Sequence, residues 1–303
     1  MKILTSSFTI PNKLFFSQII TLFCVIFSFF GSDYSQNLIS AFGILTFGIL
    51  HGANDLKILA KKSPKNGFGS KALFFIAYIG IVLLGIFIFY FIPALALFSF
   101  VVVSCYHFGE QHWQQRLGFK KQSSLFYFNY GALLFLSLFY FHQGEVSEVV
   151  FQITSFQLPA HIFFWGLILF ASLTLFTMLR TFSDLKCLLQ EIFLLAVLVL
   201  LFYKGSLLFG FGIYFVLWHS LPSLNSQVKF LYAGEQSNPY KKYIQSAFLY
   251  WVLALIGLGG FYFFTSLPEQ QFLAVFFSFL AAITFPHVVV MGWMFHSSES
   301  HSP

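Results

Sequence analysis

Charge is what this sequence has little of. Only 9% of its 303 residues are charged, against 58% hydrophobic, and the mean hydropathy is +0.81. A water-soluble domain cannot cover itself at that ratio, so soluble folds are excluded and a polytopic, all-helical membrane protein is expected. Acidic residues are the scarcest: ten Asp and Glu stand against 16 Lys and Arg, leaving a net charge of +6. In a membrane protein that excess reports orientation rather than nucleic-acid binding, and no nucleic-acid partner is expected. Cysteine is nearly absent too. Cys24, Cys105 and Cys187 all fall in apolar segments, which excludes a disulfide framework or a cysteine metal motif. The first apolar run, after Lys2 and Lys13, lacks a small-residue cleavage site and reads as a membrane helix rather than a leader. With no soluble insert, repeat or low-complexity linker, residues 1–303 read as a single transmembrane domain.

What fills the chain is apolar and aromatic, with 47 phenylalanines that suit either a lipid-facing surface or a tunnel for a long apolar ligand. Ten apolar segments are expected, at 13–30, 36–60, 70–92, 93–113, 124–142, 160–180, 185–203, 206–228, 243–264 and 269–295. Breaks such as Gly31-Ser32-Asp33, Gly144-Glu145 and Lys204-Gly205-Ser206 punctuate them. Fifteen of the 16 basic residues then fall at one set of segment ends, and Lys204 alone at the other. The positive-inside rule puts both termini in the cytoplasm, and a multi-pass protein of the inner (cytoplasmic) cell membrane is expected.

Polar islands interrupt this pattern. In Phe47-Gly48-Ile49-Leu50-His51-Gly52-Ala53-Asn54-Asp55, His51 and Asp55 stand at i and i+4 and share a face if the stretch is helical. A carboxylate at membrane depth calls for a partner. Asp55 could accept the second ring N–H of a metal-bound His51, or lie at the water interface beside a packing histidine. His107, His219 and His287 recur on three of the other even-numbered segments. Counted from the outer end, His51, His107, His219 and His287 are about 15, 14, 13 and 18 residues in, or roughly 20–27 Å deep. Four imidazoles on parallel helices at similar depth favour a metal site over four separate helix-packing histidines, and imidazole suits Fe, Zn or Cu. His142 and His161 fall near the outer surface, His112 just past an inner helix end, and His296 and His301 in the tail.

Each of the four has polar company. Glu110 follows His107 by three residues and Ser223 follows His219 by four, while Pro286 precedes His287 and can re-aim it. Glu110 is either a carboxylate supporting a ligand, like Asp55, or a hydrated interface residue. Gly52 and Gly109 suit close helix packing beside the site. Two other functions use intramembrane histidines: a haem-binding electron-transfer protein, and a proton-coupled transporter with His51 and Asp55 as relay. The clustered histidine pairs of membrane desaturases are absent.

The segments FGILHGANDL, CYHFGEQHW, LWHSLPS and TFPHVVV resemble, in order and spacing, the Brp/Blh family of bacterial and archaeal membrane proteins. These are β-carotene 15,15′-dioxygenases, and the resemblance runs from about residue 40 onward. It implies Fe(2+) as cofactor, β-carotene and O₂ as substrates, two all-trans-retinal molecules as products and a microbial rhodopsin as consumer of the retinal. The family's iron-binding histidines match His51, His107 and His219. Some members carry a further histidine where this chain has Ser223, so His287 or an open position completes the shell here.

Overall fold

The computed structural model describes residues 12–62, 68–117, 121–182, 185–234, 238–265 and 272–298; Lys2, Lys65, Lys120 and His301 lie outside them. Among the described residues there is no strand. In chain order the helices are α1 (Asn12–Phe30), α2 (Asp33–Gly43), the π-helical turn π1 (Ile44–Gly48), α3 (Asp55–Lys62), α4 (Phe68–Phe91), α5 (Pro93–Leu117), α6 (Lys121–Phe141) and α7 (Gln143–Thr154). There follow α8 (His161–Thr181), α9 (Leu185–Lys204), α10 (Leu207–Tyr214), the π-helical turn π2 (Phe215–Ser220), α11 (Leu221–Tyr232), α12 (Pro239–Thr265) and α13 (Phe272–Ser298). Among the described residues eight stretches of helix are long and apolar enough to cross a membrane, against the ten expected; the all-helical membrane bundle itself is as expected. The run Leu207–Tyr232, through α10, π2 and α11, counts as one of them, and α1 adds a shorter apolar stretch, Phe16–Phe30.

Segment 36–60 departs from a simple span. It is α2, then π1, then a succession of tight turns through residues 51–54, then α3. In those turns Gly52, Ala53 and Asp55 donate their N–H groups to carbonyls only three residues back. His51 and Asp55 therefore do not share a helical face, and the expected pairing between them fails on backbone geometry.

The chain divides into two compact units: Met1–Ile44, Cys105–Val146 and Pro159–His219 form the first, and Leu45–Ser104, Ser147–Leu158 and Ser220–Pro303 the second. In the first, α10 packs on α2, α6 and α9, α6 on α8 and α9, and α1 on α9. Every residue of α10 is buried, as its all-round apolar sequence requires. Its start is fixed by Ser206, whose hydroxyl caps Phe209 N–H and donates to Asn37 Oδ1 at 2.6 Å, while its own N–H donates to Gln36 Oε1 at 2.8 Å. Polar caps from α2 thus settle the donors that a buried helix start would leave open. The second half of α5 lies against α6 backbone to backbone. A Cβ on Gly109 would overlap the Tyr127 carbonyl, and one on Gly131 the Cys105 carbonyl, so only glycine fits at either place.

In the second unit α13 packs on α4 and α3, and α11 on α12 and α3. A polar side chain also fixes the start of α12, where Asn238 Oδ1 accepts from Tyr240 N–H at 3.1 Å and Pro239 occupies the first helical position. Lys61 closes α11, its ammonium donating to the Phe230 and Leu231 carbonyls at 2.8 and 2.7 Å. Pro286 lies inside α13, and the helix continues through it.

Candidate metal centre

Each unit brings two of the expected histidines together. In the second, the rings of His51 and His287 stand edge to face with centroids 4.7 Å apart, and both are buried. His51 is placed by the break after π1. Its Nδ1 bonds the Gly48 carbonyl, and its backbone carbonyl accepts from the Tyr243 hydroxyl at 3.1 Å. Tyr243 also donates to Gln227 Oε1 at 2.8 Å, and Asn54 Nδ2 donates back to the Tyr243 carbonyl at 3.1 Å. Tight turns leave backbone groups that a regular helix would pair, and this network of buried side chains takes them up. Gly52 lies beside His287, where a Cβ would make ordinary contact with Nδ1 at 3.6 Å.

Asp55 is buried, with 1% of its surface exposed, so the interface reading of it is wrong. Its partner is His287, whose Nδ1 lies 3.0 Å from Oδ1 and 3.1 Å from Oδ2. Sequence spacing pairs this carboxylate with an imidazole one helical turn away; the fold gives it one 232 residues along the chain.

In the first unit His107 and His219 face each other, ring centroids 4.8 Å apart and both buried. His219 lies in π2, a wider turn than α-helix and one that recurs at functional sites. Phe108 stacks on its ring at 4.3 Å and Phe215 at 5.4 Å, fixing its plane from apolar surroundings. Glu110 is buried as well, with Oε2 3.9 Å from His107 Nδ1 and Oε1 accepting from the Tyr106 hydroxyl at 3.1 Å. The hydrated-interface alternative for Glu110 is thereby excluded. Ser223, in the second unit, accepts from Gln227 Nε2 at 3.1 Å and lies 4.0 Å from Met291 Sδ.

His112, expected outside the helix end, is instead buried in α5. Its ring nitrogens contact the Tyr130 and Tyr214 hydroxyls at 3.3 and 3.4 Å, and its ring stacks on Trp218, which donates to Thr21 Oγ1 at 3.0 Å. His112 thus braces the residue next to His219. Tyr106, four residues before Glu110, and Trp218, next to His219, are legible in the sequence; Tyr78 and Tyr243 carry no local signal. His142, expected near the surface, contacts the Phe202 carbonyl at 2.9 Å through Nε2.

Imidazoles suit a first-row transition ion, and three of the four rings have Nδ1 on an oxygen acceptor or beside a carboxylate; a ring held that way would bind a metal through Nε2. In comparisons with known proteins, the family model described as beta-carotene 15,15'-dioxygenase matches residues 42–295. Neither the curated proteins nor the solved structures contain a match.

Proposed function

Because the chain belongs to the beta-carotene 15,15'-dioxygenase family, we propose that it cleaves the central double bond of all-trans-β-carotene with O₂ to give two molecules of all-trans-retinal. In this reading His51, His107, His219 and His287 are the residues that would bind Fe(2+). The observation that carries it is the arrangement of the histidines as two buried pairs, one with a carboxylate on Nδ1 of His287. A carboxylate on the far nitrogen fixes the tautomer and raises the basicity of a ligating imidazole.

Iron bound there supplies the binding and activation of O₂. The reaction breaks one C=C and one O–O bond and forms two C=O bonds, with no proton gained or lost. No side chain is needed as acid or base, so the chain's part is to bind, orient and exclude water. The aromatic rings on His219 keep that imidazole in a dry setting. The substrate is a lipid-soluble polyene, and the apolar outer faces of α4, α8 and α12 leave the protein open to the bilayer that dissolves it. The consumer of the retinal is a microbial rhodopsin, and the protein resides in the inner membrane.

The test is expression in β-carotene-producing cells, followed by pigment extraction and by metal analysis of the purified protein. Loss of carotene with matching appearance of retinal, and about one iron per chain, supports the proposal. Intact carotene beside a metal-free protein that moves protons or solutes would transfer the assignment to a transporter.

A further inference from the structure

Asp55 and Glu110, the buried carboxylates that stand beside histidines, each carry a second contact, from a tyrosine hydroxyl. Asp55 Oδ2 accepts from the Tyr78 hydroxyl at 3.2 Å, while His287 lies on its other side. Glu110 Oε1 accepts from the Tyr106 hydroxyl at 3.1 Å, while Oε2 faces His107 Nδ1. Among the described residues the order tyrosine–carboxylate–histidine occurs in each unit, although the chain builds it differently each time. Tyr106, Glu110 and His107 share one turn of α5, whereas Tyr78, Asp55 and His287 come from α4, α3 and α13.

A carboxylate taken out of water keeps its charge only if donors replace the water it lost. At Asp55 the imidazole supplies one donor and the phenol another; at Glu110 the phenol donates and the imidazole stands 3.9 Å off. A phenol on one oxygen also fixes the rotation of the carboxylate, and with it the plane of the imidazole that the carboxylate faces.

We propose that Tyr78 and Tyr106 are positioning residues of the metal centre: each steadies a carboxylate against the Nδ1 side of an imidazole and so fixes which ring nitrogen meets the metal. The proposal rests on the four-histidine reading above.

The test uses the purified full-length protein, stripped of metal and titrated anaerobically with Fe(2+). Tyr78→Phe removes one hydroxyl and keeps the ring. It should weaken Fe(2+) binding by roughly three- to tenfold, less than the 10–100-fold typical of losing the carboxylate itself. It should also shift the visible spectrum of the Co(2+)-substituted protein while the melting temperature of the metal-free form stays in place. In the Asp55→Asn background the same change should have no further effect on binding, because Tyr78 acts through Asp55. Tyr106→Phe with Glu110→Gln forms a second, independent cycle should the first pair fold poorly. Unchanged Fe(2+) affinity in both tyrosine variants, or effects that simply add to those of the carboxylate variants, would overturn the proposal and leave the four-histidine reading standing. A wild-type protein that binds no Fe(2+) would overturn both.

Discussion

Asp55 and His287 lie 3.0 Å apart in a chain that places them 232 residues from each other. The carboxylate comes from the first turn of α3 and the imidazole from the middle of α13, just after Pro286. A carboxylate on Nδ1 favours the proton there.

That contact leads to the first prediction. Asp55→Asn should lower iron retention about 10–100-fold, as expected when an outer carboxylate partner of a ligand is lost. Iron content after dialysis measures it directly. Full retention would show Asp55 to be a structural residue of α3.

The histidines give the second. Alanine at His51, His107, His219 or His287 should abolish retinal formation and iron binding together. His142→Ala should keep both, because that ring contacts the Phe202 carbonyl near the end of α9. If His287→Ala keeps its iron while the other three lose theirs, the site is a three-histidine one.

A third concerns the α5–α6 contact. Ala at Gly109 or Gly131 places a methyl group on a backbone carbonyl that cannot move aside. Each variant should lose at least about 1–3 kcal/mol, the usual cost of overpacking. Thermal unfolding in detergent measures it. Gly144→Ala, with open space around the glycine, is the control and should be near neutral.

The fourth is topological. Reporter fusions after Pro303 and within 61–69 should report cytoplasm, and one within 144–158 the outside. An external C-terminus would remove the argument that the four histidines share a depth.

The helical membrane character of the chain was legible because composition and the spacing of polar breaks depend on the bilayer alone. The four histidines were legible for a related reason: an imidazole in an apolar run is conspicuous wherever the helix ends up. The partner of Asp55 was not. Spacing of four residues implies one face only if the helix is regular, and π1 and the turns after it cancel that regularity. Glu110 stayed open between two options because residue counting cannot place a side chain within a turn of the membrane surface. Tyr78 was invisible, since nothing near it in sequence hints at a carboxylate on another helix.

The burial of α10 has a consequence for how the protein is made. A helix with no residue left to lipid has no resting place on the outside of a bundle. Leu207–Tyr214 emerges from the ribosome after α2, α6 and α9, the three helices it packs against. Synthesis order therefore delivers its surroundings before it, and a chain circularly permuted to start at α10 would release that segment into the bilayer with nothing yet there to receive it.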